Sequence, residues 1–287
     1  DRAQNMVAVP YGHTSVYSTW GGLRQNNPAT EAAMKTVRDA CTLQPNALTI
    51  KLSDQIEQLD ELITTEGDGS AFFEKTHITQ GMQDLISEGL ARLAGFSSQA
   101  VFHLKQSMGG GKTHLLVGFG LLAKHAGLRK KYCGDMLHAS AFKTADIAAF
   151  NGRNNPDHFF WGEIANQLGK GEQFKAFWTG GPKAPDEKDW LKLFDGDRPI
   201  LILLDEMPPY FHYLDTQKVG NGTAADIATR AFANLLTAAG KKSNVCVVVS
   251  DLAATYDTGT KLITRALEDA RAELGRQERN ITPVDLA

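Results

Sequence analysis

From residue 99 onward, short apolar runs alternate with longer stretches in which apolar residues recur every three or four positions. Runs of the first kind mark buried strands, and stretches of the second kind mark helices lying on a sheet. Their alternation predicts an α/β fold with a mostly parallel sheet. Strands are expected at 100–105, 144–150, 199–204 and 245–249. Helices are expected at 113–125, 158–168, 185–194, 224–239 and 260–279, the last one long and rich in charge. The run Ile200, Leu201, Ile202, Leu203, Leu204 carries no polar alternation, as a central strand covered on both faces requires.

Before residue 99 the period is helical. Ile56, Leu59, Leu62 and Ile63 share one face of a helix over 53–64. Met82, Leu85, Ile86, Leu90 and Leu93 share one face of another over 81–93, which Gly95 stops. A further helix over 30–41 takes Thr30 as its N-cap. A short segment, 72–79, begins at Phe72-Phe73. Residues 1–30 show little period and many Pro, Gly, Asn and Thr, so they read as a loop-rich arm that Tyr11, Tyr17 and Trp20 would pin. The expected organisation is an arm at 1–30, a helical lead-in at 31–95 and an α/β core at 96–287.

The junction between the first core strand and its helix reads Gln106-Ser-Met-Gly-Gly-Gly-Lys112-Thr113-His114. Strand, glycine-rich turn, Lys-Thr and helix make up the layout of a phosphate-binding loop. Glycines let successive backbone N–H groups converge on phosphate oxygens, and the helix N-terminus adds its dipole. Gln106 stands where the strict pattern has its first glycine. The expected nucleotide contacts are Met108, Gly109, Gly110, Gly111, Lys112, Thr113 and His114, with Lys112 reaching the outer phosphates. At the first turn of the helix His114 could contact the loop or a partner, and packing is the preferred reading for it.

The strand at 199–204 ends in Asp205-Glu206, at the strand edge where ligands bind in α/β sheets. There Asp205 would join Thr113 in holding Mg²⁺, and Glu206 would polarise an attacking water as general base. An acidic turn at a strand end is common on its own, but downstream of a phosphate loop it gains meaning. Ser250 and Asp251 end the next apolar strand and are candidate sensors of the γ-phosphate. An arginine finger would have to come from a neighbouring subunit. Arg230 is the formal candidate and Arg265 the alternative, each also readable as a solvated helix charge.

Charge and cysteine usage narrow the classes. A net charge of −3 leaves no global basic footprint for nucleic acid. The run Arg129-Lys130-Lys131 reads as a solvated helix end or turn. Three scattered cysteines without a C-x-x-C pair suit a reducing compartment, hence a cytoplasmic location, with Cys246 a small buried hydrophobe. No apolar run approaches membrane-spanning length, and no histidine pair has zinc spacing. Tyr210, Phe211 and Tyr213 form either a contact surface or part of the core.

Four segments together carry a resemblance: QSMGGGKTH at 106–114, FFEKTHIT at 72–79, WGEIANQLG at 161–169 and LLDE at 203–206. They resemble a family of large bacterial ATPases that bears a domain-of-unknown-function label. That family is distantly AAA+-like and is encoded beside DNA methyltransferases in anti-phage defence islands. The resemblance runs from about residue 59 to the C-terminus. It implies a P-loop NTPase three-layer sandwich of the additional-strand type, with another strand between the Asp-Glu strand and the phosphate-loop strand. It also implies ATP and Mg²⁺ as ligands, a longer parent protein, and DNA or defence-system proteins as partners through regions outside this chain. ATP hydrolysis is the expected activity. A nucleotide-gated switch with little turnover and a DNA-remodelling motor are the alternatives.

Overall fold

The computed structural model describes residue 59 and residues 69–105, 111–134, 138–250, 257–274 and 279–281. The chain divides into two units, Asp1–Ile50 and Lys51–Ala287, and every described residue lies in the second. The expected arm at 1–30 and the helix at 30–41 lie outside the described residues, as does the helix at 53–64 apart from Leu59.

The lead-in contributes α1 (Ser70–Lys75) and α2 (Gln80–Leu93). Thr79 caps α2 by accepting the Met82 N–H at 3.2 Å, and the apolar face foreseen for this helix is buried. Then come β1 (Val101–Leu104), α3 (Lys112–Lys124), β2 (Asp146–Asn151), α4 (Phe159–Gln167) and α5 (Glu187–Leu193). The second half holds β3 (Ile200–Asp205), α6 (Met207–Asp215), α7 (Ala224–Lys241), β4 (Val245–Ser250), α8 (Asp257–Leu274) and β5 (Arg279–Ile281). Asp186 with Asp189, and Thr223 with Asp226, close reciprocal capping boxes at the starts of α5 and α7. Two prolines open α6, where their missing N–H groups cost nothing.

The five strands lie in the order β2-β3-β4-β1-β5, and every pairing is parallel. The strand alternation explains the layers. Ile200, Ile202, Leu204, Val245, Val247 and Val249 face a core shared with α4 to α8. Leu201, Leu203, Cys246 and Val248 face the opposite core, shared with α1, α2 and α3. The result is a sheet between two helical layers, and β4 separates β1 from β3.

Two features depart from expectation. The helix expected over 260–279 ends at Leu274, and Arg279–Ile281 instead pair with Phe102, His103 and Leu104 on the outer side of β1. Three mixed residues carry no strand period of their own. Pairing with the open edge of β1 satisfies backbone groups that a sheet edge would otherwise leave bare.

Arg129 is the second departure. It is fully buried, not solvated. Its guanidinium donates to the carbonyls of Leu122 and Ala123 at 2.6 and 3.0 Å, to Ala139 at 2.8 Å, to Lys143 at 3.0 Å and to Phe142. It thereby ties the carbonyls at the C-terminal end of α3 to the segment leading into β2. Arg92 of α2 does the same for α7, donating to Ala239 at 2.8 Å, to Lys242, and to Val245 of β4 at 2.9 Å. Buried charge is tolerable here because carbonyl dipoles replace water around each guanidinium.

Candidate active site

The candidate residues Thr113, Asp205, Glu206 and Ser250 gather where β1, β3 and β4 end. Residues 106–110 lie outside the described residues, and with them Gln106, Met108, Gly109 and Gly110. Gly111 takes a left-handed backbone, φ 74° and ψ 17°, as the N-cap of α3. A side chain is disfavoured in that conformation, so a glycine fits the turn into the helix. Lys112 is the first helical residue and is buried.

Thr113 follows. Its hydroxyl donates to the Asp205 carboxylate at 2.5 Å, so the start of α3 meets the end of β3. The other Asp205 oxygen accepts from the Ser250 hydroxyl and, at 3.0 Å, from the Glu206 N–H. That N–H also points at Ser250 Oγ, 3.1 Å away. Burial pushes the Asp205 carboxyl above the ordinary range, and the hydrogen bonds from Ser250 and Thr113 oppose that rise. Such a carboxyl stays ionised most readily with a cation beside it.

Thr113 and Asp205 offer adjacent oxygen donors, the kind a hard divalent ion prefers. Among the described residues no group of three or more His, Cys, Asp or Glu could hold a metal unaided. A Mg²⁺ ion at this pair would therefore complete its shell with water and substrate phosphate, which is its usual habit.

Glu206 has φ 49° and ψ 41°, left-handed although it is not glycine. Its backbone is held in three ways. The N–H is bonded as described, the residue stands at the N-cap position of α6, and Gly152, directly after β2, packs against it. A Cβ on Gly152 would stand 2.1 Å from the Glu206 carbonyl oxygen. Non-glycine residues held in this conformation cluster at functional sites. The Glu206 carboxylate is engaged by Arg153, from Nε to one oxygen and from Nη2 to the other.

Ser250 is fully buried beneath Asp205 and Glu206. Asp251 lies outside the described residues. His114 turns toward the lead-in: its ring stacks on Phe72 at 4.4 Å, and its Nε2 is 3.0 Å from Thr76 Oγ1. Burial lowers the imidazole below its ordinary range. Arg230 is exposed on α7, beside a cavity of about 580 Å³ whose walls include none of Lys112, Thr113, Asp205 or Glu206. Arg265 is exposed on α8. Tyr210 and Phe211 are core residues, with the Tyr210 hydroxyl accepting the Phe160 N–H at 3.2 Å, while Tyr213 is partly exposed.

Sequence reasoning missed Gly152 and Arg153. The only signal was a Gly-Arg pair directly after a strand. The register that sets Asn151 against Asp205 gives the pair its meaning.

Residues 47–133 match the DUF499 N-terminal domain. The DUF499 match takes in most of the lead-in, β1, α3 and the Arg129 segment, and ends before β2, so Asp205, Glu206 and Ser250 lie beyond it. A comparison with curated proteins finds no match. No helix among the described residues is long and apolar enough to cross a membrane.

Proposed function

We propose that this chain binds and hydrolyses ATP in a Mg²⁺-dependent reaction, as a P-loop NTPase domain of AAA+-like type. The observation that carries the reading is the bond from Thr113 to Asp205. A Lys-Thr pair opening a helix after a glycine-rich turn, joined to an acid on a buried strand, suits a nucleotide triphosphate and its metal. The order β3-β4-β1, with one strand between the two halves, supports the additional-strand arrangement.

In this reading Lys112 and the backbone amides of Gly109 to Lys112 bind the phosphates. Thr113 and Asp205 hold Mg²⁺, which when bound would neutralise charge on the transferred phosphoryl group. Glu206 takes a proton from the attacking water, and Ser250 fixes Asp205 and the Glu206 backbone. The resemblance carried by residues 72–79, 106–114, 161–169 and 203–206 is the reason for proposing a role in DNA modification or phage defence, through partners outside this chain. The match to the DUF499 N-terminal domain covers residues 47–133 and names no activity.

The test is calorimetric titration of ATP with Mg²⁺ into the wild type and Lys112→Ala. The wild type should bind, and the variant should bind at least about ten-fold more weakly, the loss of one charge-assisted phosphate contact. Equal affinities would overturn the assignment.

One observation favours the switch with slow turnover as a second reading. Arg153 occupies the carboxylate that has to activate water. Phosphate release no higher than that of Glu206→Gln, alongside normal ATP binding, would select the switch.

A further inference from the structure

We infer that the outer edge of β2 is a surface on which a second copy of this chain pairs strand to strand, and that Gln167 is the guard that holds this edge closed.

β2 ends the sheet and pairs with β3 alone. The Asp146 N–H donates to Pro199, just before β3, and the Gly152 N–H donates to Asp205, both at 2.8 Å. Parallel pairing bonds every second residue to the same neighbour, so Ile147, Ala149 and Asn151 turn their N–H groups outward. At the far end of the sheet Arg279–Ile281 cover the edge of β1. Among the described residues no strand covers β2 in that way, and none bonds the outward N–H or C=O of Ile147.

Gln167 stands where such a strand would lie. Its Oε1 accepts the Ala149 N–H at 2.7 Å, and its Nε2 donates to the Ala149 carbonyl at 2.9 Å. One side-chain amide thus takes both main-chain groups that an added strand would use at that residue. Glu163, one turn earlier on α4, braces the amide by accepting from Nε2 at 2.6 Å. Its other oxygen meets His158 Nε2 at 2.8 Å. Glu163 and Gln167 belong to the segment 161–169, to which the nucleotide chemistry gives no role.

An open edge is a template for another chain, and polar side chains blunt it. This edge is complementary to itself. An antiparallel pair centred on Ala149 sets Ile147 opposite Asn151 and Asp146 opposite Gly152 of the second copy. Asp146 then approaches Arg153 of the second copy, and the two-fold repeats that contact, so opposite charges meet at both ends. Arg198 bonds one Asp146 oxygen at 2.8 Å and leaves the other for this contact.

The guard is able to withdraw. The side chains of His158 and Glu163 are 28% and 31% exposed, so water competes for the contacts that brace Gln167. A cavity of about 430 Å³ bordered by Ala149, Asn151, Asn154, Glu163 and Gln167 gives the amide a place to go.

Sedimentation velocity over a concentration series tests the surface. The wild type should associate weakly, as a short edge that buries little area does. Gln167→Ala should tighten the association roughly ten- to hundred-fold, because two hydrogen bonds no longer have to be broken first. Ile147→Pro added to Gln167→Ala should return it to the wild-type level or below. At an outward N–H, proline removes a donor to the second copy and none of the bonds to β3. Thermal melts establish that each variant is folded. Gln167→Met replaces the alanine variant if that one misfolds. Asp146→Arg, which sets like charges together at both ends of the pair, replaces Ile147→Pro on the same condition.

A folded Gln167 variant that associates no more tightly than the wild type would overturn the proposal. Tightened association that survives both Ile147→Pro and Asp146→Arg would overturn it too, since the contact would then run through another surface.

Discussion

The Thr113 hydroxyl and the Asp205 carboxylate meet at 2.5 Å across 92 residues of chain. This bond joins the two halves of the candidate site, and it does so around a carboxylate that burial makes costly to ionise. The sign follows from that cost. A carboxyl whose folded pKa is raised loses stability as pH rises from its unfolded pKa through its folded one. Asp205→Asn keeps hydrogen-bonding atoms facing Thr113, Ser250 and the Glu206 N–H but removes the charge. The nucleotide-free variant should melt at or above the wild-type Tm at pH 7, while Mg²⁺ should no longer strengthen its ATP binding. Thermal melts and titrations with and without Mg²⁺ check both halves, and a clear drop in Tm would contradict the first.

Glu206 is left-handed at φ 49°, a conformation that costs a non-glycine residue about 1–2 kcal/mol. Glu206→Gly should relieve that strain, whereas Glu206→Gln should keep it. The glycine variant should therefore be the more stable of the two in urea, by about 1 kcal/mol, although both lose the carboxylate. Equal midpoints would remove the argument for strain.

Gly152 supports the same residue from below. Gly152→Ala forces a Cβ to 2.1 Å from a backbone oxygen, and backbone cannot swing aside as a flexible side chain can. The expected loss is about 1–3 kcal/mol, in the range of overpacked cores. Phosphate release should change as well, because the shift displaces Glu206.

Arg129 holds five carbonyls of two segments together. Arg129→Met keeps much of the volume and removes every guanidinium donor. Ala123 keeps the Ala145 N–H at 3.0 Å, and each carbonyl left without a partner costs about 1–3 kcal/mol before relaxation. The variant should lose at least about 3 kcal/mol in equilibrium unfolding, as breaking a buried charged network does. Lys130→Met, next in the sequence and exposed, should lose less than about 0.5 kcal/mol.

The core strands are legible in the sequence because a parallel sheet covered on both faces demands unbroken apolar runs, and 200–204 and 245–249 supply them. The meeting of Thr113 with Asp205 is legible for a related reason: a glycine-rich turn after one such run and an acidic pair directly after another both fall at the carboxyl edge of a parallel sheet. Arg153 is not legible. Its meaning depends on which residue of β2 faces Glu206, a matter of register between strands 53 residues apart. Arg129 is misleading for a similar reason, since neighbouring lysines make it look solvated and its carbonyl partners come from the tertiary fold. The strand at Arg279–Ile281 is too short and mixed to show a period, and the edge of β1 recruits it.

Cys246 lies fully buried on β4, and burial pushes its thiol up to about 12 from an ordinary value of 9.0. In the unfolded chain the thiolate forms near 9, so between pH 9 and 12 the unfolded state binds fewer protons than the folded one. Stability contributed by this group is therefore complete below pH 9 and is lost as pH rises toward 12. One such group sets a slope of up to about 1.4 kcal/mol per pH unit. Cys133 adds to the slope, its thiol raised by burial to about 11. Urea unfolding at a series of pH values from 8 to about 10.5 should show stability falling above pH 9, and Cys246→Ala should flatten that fall whatever its effect at pH 8. An unchanged slope in the variant would mean that the thiol ionises in the folded protein as readily as in the unfolded one.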